Sequence, residues 1–184
     1  MAQTNQKESN LPFKTIPAYP ESYSNENIVA RMIDGLGFRF YWATEGLRTQ
    51  DLAFKPNNEA RSTEETIDHV MGLTNVILNS INNKPNVRSG EETSKLPFEE
   101  KRKIILTNLK IISDTLKKSD LKIKDLKIIQ QGKDSKREFP FWNMINGPIS
   151  DALWHIGQIV SFRRSSGNPF NSKVNVFSGT VSEK

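Results

Sequence analysis

Cysteine does not occur anywhere in this chain of 184 residues. That removes thiol nucleophiles, disulfide frameworks, iron–sulfur clusters and Cys-type zinc sites from consideration. Histidine is almost as scarce. His69 and His155 are the only imidazoles, so any protein-bound metal must complete its shell with carboxylates or carbonyls. Long apolar runs are missing as well, and the longest uncharged stretches fall far short of the ~18 apolar residues that a spanning helix needs. The opening residues MAQTNQKESN contain no apolar signal-peptide core. These absences lead us to expect a soluble, cytoplasmic protein with no membrane partner. Hydrophobic residues make up 35% of the chain, a low share for a globular domain. Some of the sequence should therefore lie in arms or long loops, although its aliphatic and aromatic content is too high for a disordered protein.

The net charge of +5 is unevenly spread, since residues 95–140 carry 13 lysines and arginines against 7 acids. A basic segment can serve nucleic acid or an acidic partner, and either would associate in a salt-sensitive way. Here the charges alternate with apolar residues and lack the interleaved aromatics of single-strand binders. A solvated helix face is the preferred reading, and no nucleic-acid partner is expected.

At this length one domain is the default. Residues 1–24, with Pro12, Pro17 and Pro20, read as an extended arm. Val29, Ile33, Leu36, Phe40, Ala43 and Leu47 then recur at spacings of three and four and predict a helix. Residues 48–61 read as a loop around Pro56. Ser62-Thr63-Glu64-Glu65 fits a capping box. It opens a second helix whose buried side is Ile67, Val70, Met71, Val76, Ile77 and Ile81, and which Asn82-Asn83-Lys84-Pro85 terminates. After a polar linker over 86–95, a third helix begins near Pro97 with Phe98, Ile105, Leu109, Ile112 and Leu116 on one stripe. Leu126–Gln131 and Lys136–Phe139 flank Gly132-Lys133-Asp134 and suggest a short hairpin. The last helix lies within Phe139–Gly167, and Pro148 either starts or kinks it. Arg163 and Arg164 suit the negative end of its dipole, and Gly167 with Pro169 stops it. The expected fold is all-α: a four-helix bundle over 25–167, preceded by the arm and followed by a tail over 168–184 that packs back on it.

Both histidines fall on helices beside core positions. Asp151 precedes His155 by one turn on the same face, within reach of a shared ion. A hydrogen-bonded pair that holds two helices in register explains that spacing equally well. A second inward histidine, His69, on another helix favours the ion, because bundle cores are where facing helices converge ligands. Trp42 and Trp154 could line a pocket, but aromatics at helical spacing usually fill the core.

The segment Asp151-Ala152-Leu153-Trp154-His155-Ile156-Gly157-Gln158-Ile159, followed by Arg163-Arg164 and Gly167, resembles the last helix of the DinB/YfiT-like superfamily. That helix reads His-x-x-x-His-x-Gly-Gln, and the second helix of these bacterial four-helix proteins supplies a further histidine, matching Ser62 through His69. The resemblance covers roughly residues 25 to 167 and implies a divalent ion, zinc or nickel first and iron or manganese next. Asp151 stands where many members have a histidine. A carboxylate is nevertheless a competent ligand, and maleylpyruvate isomerase-like members carry an acid there.

The resemblance thus implies a first shell of His69, Asp151 and His155. It also implies transferase chemistry with a low-molecular-weight thiol, or hydrolase chemistry, on a small-molecule substrate. Members are often homodimers. Gln158 is a candidate to bond a bound water or the substrate. Glu65, one turn before His69, is a candidate general base, although its capping role accounts for it without catalysis. The competing expectation is a non-catalytic bundle or dimeric interaction protein, whose metal site has decayed through the change at Asp151.

Overall fold

In the computed structural model, residues 11–87, 95–118 and 120–182 are described. Residues 1–10 of the expected arm over 1–24, most of the polar linker and the last two residues lie outside them. Helix α1 spans Asn25–Thr44, and Ser24 starts it by accepting the Asn27 N–H at 3.1 Å. Its predicted stripe is buried from Val29 to Ala43, with Leu47 half-buried just beyond. A short helix α2, Thr49–Ala53, interrupts the expected loop. Helix α3, Thr63–Ile81, begins with the capping box read from the sequence. The Ser62 hydroxyl accepts from Glu65 N at 3.1 Å, and the Glu65 carboxylate accepts from Ser62 N at 2.6 Å. Helix α4 covers Phe98–Leu116. A three-residue helical turn α5, Trp142–Met144, leads through a wide turn at Ile145–Ile149 into α6, Ser150–Ser165. Pro148 therefore marks a kink before the main helix, and Gly147 takes the non-helical backbone there (φ −93°, ψ −107°). Gly167 closes α6 at φ +80°, as a stop signal should.

The four long helices pack around one core in the order α1, α4, α3, α6. Their directions follow from the polar pairs between them. Arg102 on α4 meets Thr44 and Tyr41, whereas Ser113 and Lys117 meet Asp34, so α4 runs antiparallel to α1. Lys101 meets Glu64 and Asn108 meets Asn75, so α4 runs parallel to α3. Helices adjacent in sequence are thus diagonal in space at two places, which the long connections permit.

The molecule is mostly helical, in keeping with the expectation, and a small mixed sheet accompanies the helices. Strands β2 (Lys127–Gln131) and β3 (Lys136–Pro140) form the expected hairpin, in register from Lys127↔Pro140 to Gln131↔Lys136. A two-residue strand β1, Asn86–Val87, pairs parallel with β2 and makes a small mixed sheet. Side chains at the end of α3 fasten that sheet: Ser80 Oγ donates to the Lys127 carbonyl at 2.7 Å, and Asn79 Nδ2 to Asn86 Oδ1 at 2.9 Å. Beyond α6, strands β4 (Val174–Asn175) and β5 (Thr180–Val181) form a second hairpin. Phe170, Val174 and Val181 pack on the core.

The described part of the N-terminal segment also docks. Phe13 is 4% exposed, and its ring lies so close to Gly37 that a Cβ there would sit 2.5 Å from it. Trp42 Nε1 donates to the Lys14 carbonyl at 3.1 Å, and Ile16 N to the Gly179 carbonyl at 2.9 Å. Among the described residues, no helix is long and apolar enough to cross a membrane.

Candidate metal centre

Helices α3 and α6 bring His69, Asp151 and His155 together across 82 residues of sequence. The Asp151 carboxylate lies between the rings, with Oδ2 at 3.2 Å from His69 Nε2 and Oδ1 at 3.2 Å from His155 Nε2. The imidazoles meet edge to face at 89°, with centroids 4.6 Å apart. One ligand atom from each residue can be chosen so that all lie within 4.8 Å of one another. Two ligands at ~2.1 Å from a tetrahedral ion stand about 3.4 Å apart; each Asp–His spacing is near that value, but through a different carboxylate oxygen. The group can hold a metal.

Local structure explains the placement. His69 follows two turns after the capping box, so Ser62 and Glu65 fix the start of its helix and hence its height on α3. Asp151 and His155 lie in the first two turns of α6, immediately after the kink, which sets the direction in which α6 presents them. His155 is the most enclosed, with a side chain 13% exposed, whereas His69 and Asp151 are open on one side. The centre is therefore accessible to solvent.

Gln158 completes the setting of His155. Its Oε1 lies 2.7 Å from His155 Nδ1, a contact whose donor depends on the ring's tautomer; with Nδ1 as donor, Nε2 is the nitrogen left free. In the neutral ring the Nε2 lone pair then faces the Asp151 carboxylate oxygen, acceptor against acceptor. A cation between them resolves that opposition. Metal-ligating histidines commonly donate their second ring N–H to an oxygen in this way. Gln158 therefore orients the ring from behind, where the sequence suggested a bond to bound water or substrate.

Glu65 is placed differently from a base. Its carboxylate accepts from Ser62 N and from Lys55 Nζ at 3.1 Å, and the Ser62 backbone bond, followed by Lys55, holds its pKa below the usual value. Its carboxylate is thus engaged by the start of α3 and by Lys55. Of the two tryptophans, Trp42 is a core residue, but Trp154 is 72% exposed. Helical spacing sets Trp154 beside Asp151 and Gln158, at the rim of the centre.

Sequence reasoning missed the charged residues that frame these helices. Lys101 is fully buried, with Asp68 at 2.8 Å and Glu64 at 3.0 Å. Burial pushes its pKa down, but Asp68 and Glu64 more than reverse this and raise it. Arg102 is buried against Glu45 and Thr44. Further along the basic segment, Lys117 pairs with Asp34, Lys110 with Asp114, and both Lys127 and Lys136 with Glu138. Much of the segment's positive charge is therefore spent inside the molecule. Arg163, read as a partner for its own helix end, instead serves α1. Its Nη1 donates to the carbonyls of Trp42 at 3.1 Å and Ala43 at 2.9 Å, while Nε donates to Asn168 O at 2.7 Å. The roles of Lys101, Arg102, Lys117 and Arg163 toward other helices carry no local pattern, because those partners come from distant elements.

Comparison of the chain with family models, with curated proteins and with solved structures returns no match.

Proposed function

We propose that the protein is a metal-dependent enzyme of the DinB/YfiT-like type, acting on a small molecule at the His69–Asp151–His155 centre. The observation that carries this reading is the convergence of two imidazoles and one carboxylate from two helices, with Gln158 behind one ring. Two nitrogens and one anionic oxygen suit zinc, nickel, iron or manganese. A divalent ion held there supplies Lewis-acid chemistry, which activates a thiol or a water near neutral pH. The chain's own residues do the rest. Asp151 contributes negative charge, Gln158 fixes the ring of His155, and the exposed indole of Trp154 offers an apolar surface beside the open side.

Transferase chemistry with a low-molecular-weight thiol and hydrolysis are the two reactions this arrangement supports. They separate in one assay: metal-loaded protein is given an electrophilic aryl halide with a thiol, and in parallel an activated ester without one. The proposal expects turnover in one arm that is lost in Asp151→Ala. Absence of metal binding, or turnover indifferent to Asp151, contradicts it. A specific feature favours a second reading. Asp151 already bridges both rings at 3.2 Å, so the trio would also serve as a structural tie between α3 and α6 in a non-catalytic or dimeric protein. That reading expects no metal and a loss of stability on substitution.

A further inference from the structure

We infer a second ligand site, separate from the metal centre, that takes an amphipathic carboxylate in the cleft between α1 and α6. The cleft has a volume of about 400 Å³, and its apolar wall includes Trp42, Ile156, Val160 and Phe170. That volume lies within the range of small-molecule pockets. Among the described residues, its only charged lining residues are Arg39 and Arg164. Among the described residues neither guanidinium has a carboxylate partner. Arg39 reaches the Gly35 carbonyl of its own helix at 3.1 Å, and Arg164 lies over the Phe170 ring at 5.8 Å. Two other clefts set their cations among different neighbours. The larger cleft at the start of α1 sets Glu26 beside Lys122 and Lys124, and in the cleft by Tyr19 Arg31 is already engaged by the Pro17 carbonyl and the Tyr19 ring.

The shape of the cleft supports the same ligand class. Gly157 forms part of the wall, and a Cβ built there meets no atom within 4 Å. The wall is therefore open beside Gly157, where an alkyl or aryl body has room. Trp42 spends its N–H on the Lys14 carbonyl, so its indole offers carbon surface to the cleft. An apolar body of about ten carbons with one acid group satisfies both parts: carbon against the wall, and oxygen against two guanidiniums suited to bind it. On α6 the cleft residues Leu153, Gly157, Val160 and Arg164 lie roughly opposite Asp151, His155 and Gln158 at 3.6 residues per turn. The inference does not depend on a metal at the other face.

Calorimetric titration of metal-free protein with decanoate, and separately with decanol, tests it. One decanoate per chain is expected, weakened about tenfold by Arg39→Ala and again by Arg164→Ala. Gly157→Leu, which fills the open wall, should abolish binding, and Asp151→Ala should leave it unchanged. Decanol should bind more weakly, with no dependence on either arginine. Arg39→Gln serves as a second variant, since it keeps the side chain's packing without the charge. Ile28 lines both of the other two clefts; no decanoate binding, binding indifferent to both arginines, or binding lost instead in Ile28→Ala overturns the proposal.

Discussion

Single buried side chains hold this molecule's corners, and their effects are measurable one at a time. Arg163 satisfies two carbonyls at the C-terminal end of α1 that no residue of that helix can reach. Burial pushes its guanidinium pKa down, with the acids Asp51 and Glu45 opposing, so the site pays a desolvation cost to keep this cap. Arg163→Ala should cost about 3 kcal/mol in denaturant unfolding. Arg163→Lys should recover only part of that, because one ammonium cannot reproduce the fork. Asp51 is the complementary acid. It is buried between Arg48, Ser166 and Asn168, which together hold its carboxyl well below the usual range, Arg48 foremost. A depressed folded pKa contributes stability that is complete above the unfolded value near ~4 and is lost as pH falls below it. Thermal unfolding of Asp51→Asn should show a lower Tm at pH 7 and a gap to the parent that narrows below about pH 4. A constant gap across that window would contradict the assignment.

At the scale of elements, what was legible in the sequence is what local chemistry decides. The Ser62–Glu65 capping box lies within four residues, and it starts α3 as read. Ser62→Ala should cost about 1 kcal/mol. The apolar stripes of α1, α3 and α4 were readable for the same reason, since burial repeats with the helical turn. The kink at Pro148 and the hairpin around Gly132 were visible as punctuation. By contrast, β1 is two residues long and becomes a strand only by pairing with β2 some 40 residues on. Lys101 and Arg102 were equally opaque, because such residues are almost never buried unless paired, and their acids sit on α3 and just past α1. The docking of Phe13 was not legible in the sequence, because its partner, Gly37, lies on a different element. That glycine is the space for the ring. Gly37→Ala in a helix interior ordinarily gains about 1 kcal/mol; here it should lose about 1–3 kcal/mol through the clash. The loss should shrink in a Phe13→Ala background, and urea unfolding of the double-mutant cycle reads the coupling.

The whole molecule turns these parts into a centre that neither helix holds alone. His69 reached its partners only through the diagonal helix order, which no single segment reveals. The sequence could offer the trio through spacing on α6 and a family resemblance, but not the distances. A ligand that bridges α3 and α6 stabilises the folded state by mass action, about 2.7 kcal/mol when free metal is a hundredfold above Kd. The gain should appear as a rise in Tm with added zinc or nickel and be absent from His69→Ala. The most direct test is elemental analysis of untagged protein alongside Asp151→Ala and His155→Ala. The account predicts close to one divalent ion per chain in the parent and far less in both variants. Metal-free protein, whose Tm none of zinc, nickel, iron or manganese raises, would contradict it and leave Asp151 as a tie between two helices.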